Sequence, residues 1–257
     1  MSAMIEDLGV EGLACRWADG VLWLTLDRPR ARNAMTIAMR RGMITAIRVA
    51  DTDPETRLVV ITGTDPAFSA GIDLKESLGN GTGSPRGART NPAEVVRAAR
   101  TPVIAAVNGP CYTGALELAL SCSFLIASER ASFADTHAAV GLLAGWGMSA
   151  LLPRAVGVRL ARQMMLTGEP IDANRALAAG LVNEVVPHDR LLDRTREIAE
   201  AICAAHPEAV AVTLELLAAG EGTSLAHALE LESQAKLRWR TDIADVARRF
   251  AARTARR

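Results

Sequence analysis

Two stretches of small residues stand where a strand runs into a helix, and in each the groups best able to do chemistry are backbone amides. The first is AFSAGIDL, residues 67–74, which follows the β-branched run ending at Thr62 and Gly63. Ser69, Ala70 and Gly71 carry little bulk, so an N–H in this turn can face a cavity instead of its own secondary structure. Taken alone, the stretch also fits an ordinary strand-to-helix turn capped by Asp73. The second is NGPCYTGALELAL, residues 108–120. The first-turn amides of its helix have no intrahelical partner and the positive end of the helix dipole lies behind them, which suits a developing negative charge. Gly114 permits the closest approach, and Glu117, three positions on, shares its helix face. Ala115, Leu116, Leu118, Ala119 and Leu120 make that helix apolar nearly all round, so Glu117 is expected to be buried. A buried carboxylate is costly unless it is paired or used, which leaves either a structural role, capping a neighbouring loop or pairing with an arginine, or a proton-transfer role.

The elements that must position these residues are legible in the flanking pattern. Cys15 to Leu26 alternates apolar and polar residues around Asp19-Gly20, which predicts two antiparallel strands joined by a tight turn. Thr36 is placed to cap a helix running to about Ala50, and RLVVITG from Arg57 has the composition of a strand buried on both faces. The alternation continues with a helix near 92–100, the strand PVIAAVN from Pro102, a helix from Thr113 to Ser121, and the strand SFLIAS from Ser123. An α/β sheet with helical crossovers follows from that order. Residues 79–91, rich in Gly, Ser, Pro and Arg, read as a surface loop beside the site, and beyond Ala144 the chain reads as largely helical.

Composition narrows the partners. At 257 residues and 49% apolar content the chain can bury a large core, which excludes disorder of the whole chain. Its 29 basic and 29 acidic residues cancel, so no global field draws in nucleic acid or an anionic membrane. Arginines crowd the C-terminal end from Arg238 to Arg257, a candidate anion contact or a solvated helical face. Cys15, Cys111, Cys122 and Cys203 form no CxxC pair, which argues against a disulfide framework and a zinc site and for a reducing compartment. No membrane insertion is expected, since no stretch of about 18 apolar residues occurs, and the acidic N-terminus does not read as a signal peptide. A cytoplasmic protein is the expectation.

AFSAGIDL followed by PVIAAVNG, a small-residue turn and ELAL resembles the paired signature of the enoyl-CoA hydratase/isomerase (crotonase) family. LDRPRARNAM at 26–35, SFADTHAAVGLLAGWGMSALLP at 132–153 and MMLTGEPIDANRALAAGLVNEVV at 164–186 extend the resemblance, in the family's order, over nearly the whole chain. The resemblance implies an α/β crotonase-like spiral of ββα units, with a core over residues 1–195 and a C-terminal helical trimerisation region over 196–257. It implies an acyl-CoA ligand whose thioester carbonyl accepts hydrogen bonds from the amides of Ala70 and Gly114. Arg30, Ala31 and Arg32 match the stretch that meets the nucleotide end of coenzyme A, and Ala70, Asp73 and Leu74 match the turn around adenine and pantetheine.

The family's hydratases grip the reacting water with two glutamates, and here Glu117 matches the first while His137 stands at the second. An imidazole with an ordinary pKa near 6.5 can still hold water and exchange protons, so Glu117 and His137 form a candidate acid/base pair. Ala144-Gly145 replaces a usual Pro-Gly, and Trp146 adds an aromatic wall to the acyl pocket. The expected function is hydration of a 2-enoyl-CoA in fatty acid metabolism, by a homotrimer or dimer of trimers, with no metal and no cofactor beyond the thioester substrate. The alternatives are double-bond isomerisation by a single base and acyl-CoA binding with little turnover.

Overall fold

The structure, a computed structural model, describes residues 8–79 and 90–254. Of the loop expected over 79–91, residues 80–89 lie outside the described residues. Strands β1 (Leu13–Ala18) and β2 (Val21–Leu26) form the antiparallel hairpin that Asp19-Gly20 predicts, with φ of 52° and 80° at the turn, positive at both centres as a two-residue hairpin requires. Helix α1 (Ile37–Thr52) starts where Thr36 accepts the Met39 N–H. β3 (Leu58–Gly63), β4 (Val103–Val107), β6 (Phe124–Ser128) and β9 (Glu184–Val186) then add in parallel, giving a six-stranded sheet of order β1-β2-β3-β4-β6-β9.

Both faces of that sheet are covered, which is why its central strands read as unbroken apolar runs. Val59, Ile61, Val103, Ala105 and Val107 point into the larger core with α1, α3 (Pro92–Ala98) and α4 (Gly114–Leu120). Leu58, Val60, Ile104 and Ala106 point the other way, against Leu191 and Ala199 of α8 (Leu191–Cys203).

A second, shorter layer positions the site. β5 (Pro110–Tyr112) pairs in parallel with β7 (Ser132–Ala134), which pairs with β8 (Ile171–Asp172). Single parallel bridges continue this layer backward from Cys111 to Ser69 and from Ile72 to Met35. Each unit therefore runs along the main sheet, steps into the short layer, and leaves through a helix, so the step turns of successive units lie side by side. The expected spiral of ββα units has this geometry.

Helices α5 (Met148–Val156), α6 (Val158–Thr167) and α7 (Ala173–Ala178) complete the first compact unit, which runs to Ala211. A second unit begins at Val212 and holds most of α9 (Pro207–Gly220), then α10 (Leu225–Arg238) and α11 (Ile243–Thr254). The division expected between residues 195 and 196 falls inside α8, whose Leu191 and Ala199 belong to the sheet's core; the units separate after Ala211. In α11, Arg248 and Arg249 both bond to Asp245, so part of the basic tail is neutralised within its own helix. No single helix among the described residues is long and apolar enough to cross a membrane.

Candidate active site

The site grows from a scaffold turn at Arg28–Ala34. Asn33, fully buried with φ 55°, accepts the Arg28 N–H at 2.8 Å and donates to the carbonyls of Thr64 and Ala67 at 2.6 Å each. The Ser69 hydroxyl donates to the Asn33 carbonyl at 2.8 Å. Arg28 donates to the Ala34 carbonyl and pairs with Asp73 at 2.8 Å, and the other Asp73 oxygen accepts from the amides of Lys75 and Glu76. Asp73 is thus the cap of α2 (Leu74–Gly79) and an ion-pair partner. Burial alone would push its carboxyl up, but Arg28 and the Glu76 and Lys75 amides outweigh it and hold it below the usual range.

This scaffold corrects the expected amide pair. The Ala70 N–H donates to the Arg32 carbonyl at 2.9 Å and has nothing left for a ligand. Two positions on, Met35 N–H bonds the Gly71 carbonyl and Asp73 N–H bonds the Met35 carbonyl, so the bridge turns the N–H of Ile72 to the opposite side. Neither the Ile72 N–H nor the Gly114 N–H finds an acceptor among the described residues. The two turns touch: a methyl on Gly114 would lie 3.3 Å from Ile72 Cγ1, and one on Gly71 would lie 3.3 Å from the Gly114 nitrogen. The free pair is therefore Ile72 and Gly114. Ile72 was hidden because its bulk does not mark it; the signal is the parity of hydrogen bonding along the turn.

Thr113, just before α4, fastens the two turns together. Its N–H donates to the Ala134 carbonyl at 2.9 Å and its hydroxyl to the Ala70 carbonyl at 3.1 Å. It does so at φ 51°, an outlying conformation for a β-branched residue that persists only where its surroundings impose it.

Glu117 is 1% exposed, as its apolar helix predicts. One oxygen accepts the amides of Trp146 at 2.6 Å and Met148 at 3.1 Å, which compensates the burial of its charge and fixes its orientation. The other lies 3.8 Å from His137 Nε2. His137 is itself buried, and its Nδ1 is 2.6 Å from Asp135, which is 2% exposed. Strand alternation would place Asp135 and His137 on one face, but β7 ends at Ala134 and His137 is helical, at φ −55° and ψ −52°. The contact arises instead from an Asx-type turn in which Asp135 also accepts the His137 N–H at 3.2 Å.

Trp146 forms a wall of the same place. A methyl on Gly114 would meet its ring at 3.4 Å, and the Arg40 guanidinium lies 5.8 Å from its ring centre. Arg97 holds the Trp146 carbonyl at 2.9 Å and the Ser121 hydroxyl at 2.8 Å, and that hydroxyl donates to the Glu117 carbonyl. At the mouth, Arg30 and Arg32 are exposed on the scaffold turn and neither side chain has a partner among the described residues. Ala31 is half-buried between them, and Leu74 is exposed on the first turn of α2.

Chemically, two converging amides can stabilise an oxyanion, and a carboxylate facing an imidazole can hold a water and divide its protons. Residues 16–243 match the family described as enoyl-CoA hydratase/isomerase. The chain is 36% identical over 215 residues to a probable peroxisomal enoyl-CoA hydratase 1 of Arabidopsis thaliana, covering 84% of this chain and 81% of that one. It is 35% identical to the 2,3-dehydroadipyl-CoA hydratase of Escherichia coli, over 83% of this chain and 84% of that one. Among solved structures, an enoyl-CoA hydratase from Mycobacterium avium superposes with a TM-score of 0.75 at 44% identity, covering 88% of this chain and 96% of that one. The human enoyl-CoA hydratase domain-containing protein 3 does so with a TM-score of 0.82 at 31% identity, over 88% and 91%.

Proposed function

Because the chain belongs to the enoyl-CoA hydratase/isomerase family, we propose that it adds water across the double bond of a 2-enoyl-CoA, with its own residues in the roles the geometry supports. It is an acyl-CoA enzyme of the lyase class. The Ile72 and Gly114 amides hold the thioester carbonyl and stabilise the enolate that forms as water attacks, an interaction worth roughly 100- to 1,000-fold in turnover per donor. Glu117 and His137 hold the water and move its protons. The observation that carries hydration over isomerisation is the second group: isomerisation needs one base, whereas here a buried imidazole is aimed at the Glu117 carboxylate from 3.8 Å.

In this reading Arg30 and Arg32 pair with the phosphates of coenzyme A, Ala31 and Leu74 line its path, and Trp146 bounds the acyl chain, which the exposure of both arginines and the nearness of Trp146 to Gly114 support. The amides, the carboxylate and the imidazole supply the polarisation and proton transfers that hydration needs, so the reaction calls for no cofactor beyond the thioester. Fatty acid metabolism is the setting in which such a substrate arises. A homotrimer or dimer of trimers is supported by apolar side chains left uncovered, including Leu143 and Leu166 in the first unit and Leu225 and Leu237 of α10 in the second. A cytoplasmic location is our reading from the four free cysteines.

The test is to incubate the purified protein with crotonyl-CoA in ¹⁸O-labelled water and identify the products by mass. A 3-hydroxyacyl-CoA carrying one ¹⁸O is the expected result. A CoA ester of unchanged mass with a moved double bond, or binding without conversion, would each refute hydration.

A further inference from the structure

We propose that Asp135 is a positioning residue for this reaction: it fixes the tautomer of His137 and favours its charged form, so that Nε2 faces the substrate side carrying a proton. The proposal rests on the hydratase reading.

Asp135 is buried and places one oxygen against both the backbone N–H and the Nδ1 of His137, at 3.2 and 2.6 Å. A carboxylate can only accept, so Nδ1 carries the hydrogen and Nε2 becomes the nitrogen that faces the substrate side. Nε2 lies 3.8 Å from the Glu117 carboxylate, too far for a direct hydrogen bond and near enough for one water to touch both. Burial by itself would lower the His137 pKa, but the bond to Asp135, its charge and the charge of Glu117 outweigh burial and leave it above the ordinary 6.5. Those two carboxylates are the charges that raise the ring's pKa; α6, packed against the turn after His137, carries Arg159 and Arg162, both exposed. Without Asp135 the imidazole would be free to present either nitrogen, and the hydrogen bond and charge that do most to raise its pKa would be gone.

The step balances with these groups alone. Between them Glu117 and His137 take a proton from water as the water oxygen bonds to Cβ, and the double-bond electrons move to Cα with charge on the thioester oxygen. They return a proton to Cα, so the site regains its starting protonation, and the net change is one water added.

Asp135→Asn tests this, since it keeps the size and the acceptor for the His137 N–H but removes the charge. Nitrogen-15 NMR of the ring, assigned with His137→Gln, should show that once His137 of the unaltered protein has been titrated to its neutral form, its hydrogen sits on Nδ1. In Asp135→Asn its titration should shift to lower pH and the Nε2-protonated tautomer should appear. In hydration, kcat should fall about 100-fold or more with KM nearly constant, and the alkaline limb of the kcat profile should move to lower pH. Neutral His137 protonated on Nε2 in the unaltered protein would overturn the proposal without reference to any variant. So would Asp135→Asn lowering activity with both the titration and the pH profile unmoved, the result a purely structural role gives. If no enoyl-CoA is hydrated at all, the hydratase reading fails, and the ring titration still decides whether Asp135 sets the state of His137.

Discussion

Glu117 and His137 meet in space because α4 and the turn after β7 leave neighbouring steps of the short layer, and their chemistry depends on which is charged. The raised pKa of His137 carries a stability consequence with a definite sign. Its extra interactions in the folded state contribute fully below the ordinary value of 6.5 and are lost as pH rises through the higher folded value. Urea unfolding should therefore show the unaltered protein losing stability relative to His137→Gln as pH rises from the ordinary value of 6.5 through the higher folded value. A difference that grows with pH would contradict the assignment of charge. His137→Glu places a third carboxylate beside Asp135 and Glu117, so kcat on crotonyl-CoA should fall rather than rise; a gain would mean that imidazole is an impaired substitute for glutamate here. Legibility at this scale was uneven. Glu117 was marked by an apolar helix, whereas Asp135 fits a strand neighbour of His137 or, by preference, a cap, and the Asx turn it forms is of the second kind.

At the scale of elements, the hairpin, the Thr36 cap and the doubly buried strands followed from local rules: positive φ at Asp19-Gly20, an N-cap hydroxyl, and apolar runs without alternation. The free amide at Ile72 did not, because it is decided by hydrogen bonds that Arg32 and Met35 take from the same turn, a pairing across distant sequence. Those turns are also where substitutions should cost most. Gly71 has φ +99°, and an added Cβ would meet Thr113 Oγ1 at 2.1 Å and the Tyr112 carbonyl at 3.0 Å. Gly71→Ala should destabilise by roughly 2 kcal/mol or more in chemical denaturation and reduce turnover with it. Asn33→Ala leaves the Thr64 carbonyl and the Arg28 amide without these bonds and the Ala67 carbonyl with Asn108 alone, and should cost about 2–5 kcal/mol. Stability within 0.5 kcal/mol of the unaltered protein for either variant would show that the turn is held by something else.

At the scale of the molecule, the family blocks lie along the whole core and made its spiral legible, whereas the boundary after it was not, because α8 and α9 both read as helices of one region. What separates them is packing: α8 seals the back of the sheet through Leu191 and Ala199, whereas α9 buries none of its residues. Helices with exposed leucines and no core of their own call for a neighbour, and with the threefold assembly that the family resemblance implies, sedimentation equilibrium should give a mass that is a multiple of three chains; a monomer or dimer would contradict this. The central claim, that Glu117 moves protons beside an oxyanion hole, is tested most directly by steady-state hydration of crotonyl-CoA in Glu117→Gln. The account predicts a loss of about 100- to 10,000-fold in kcat with CoA-ester binding retained. Hydration that continues at the unaltered rate would contradict it.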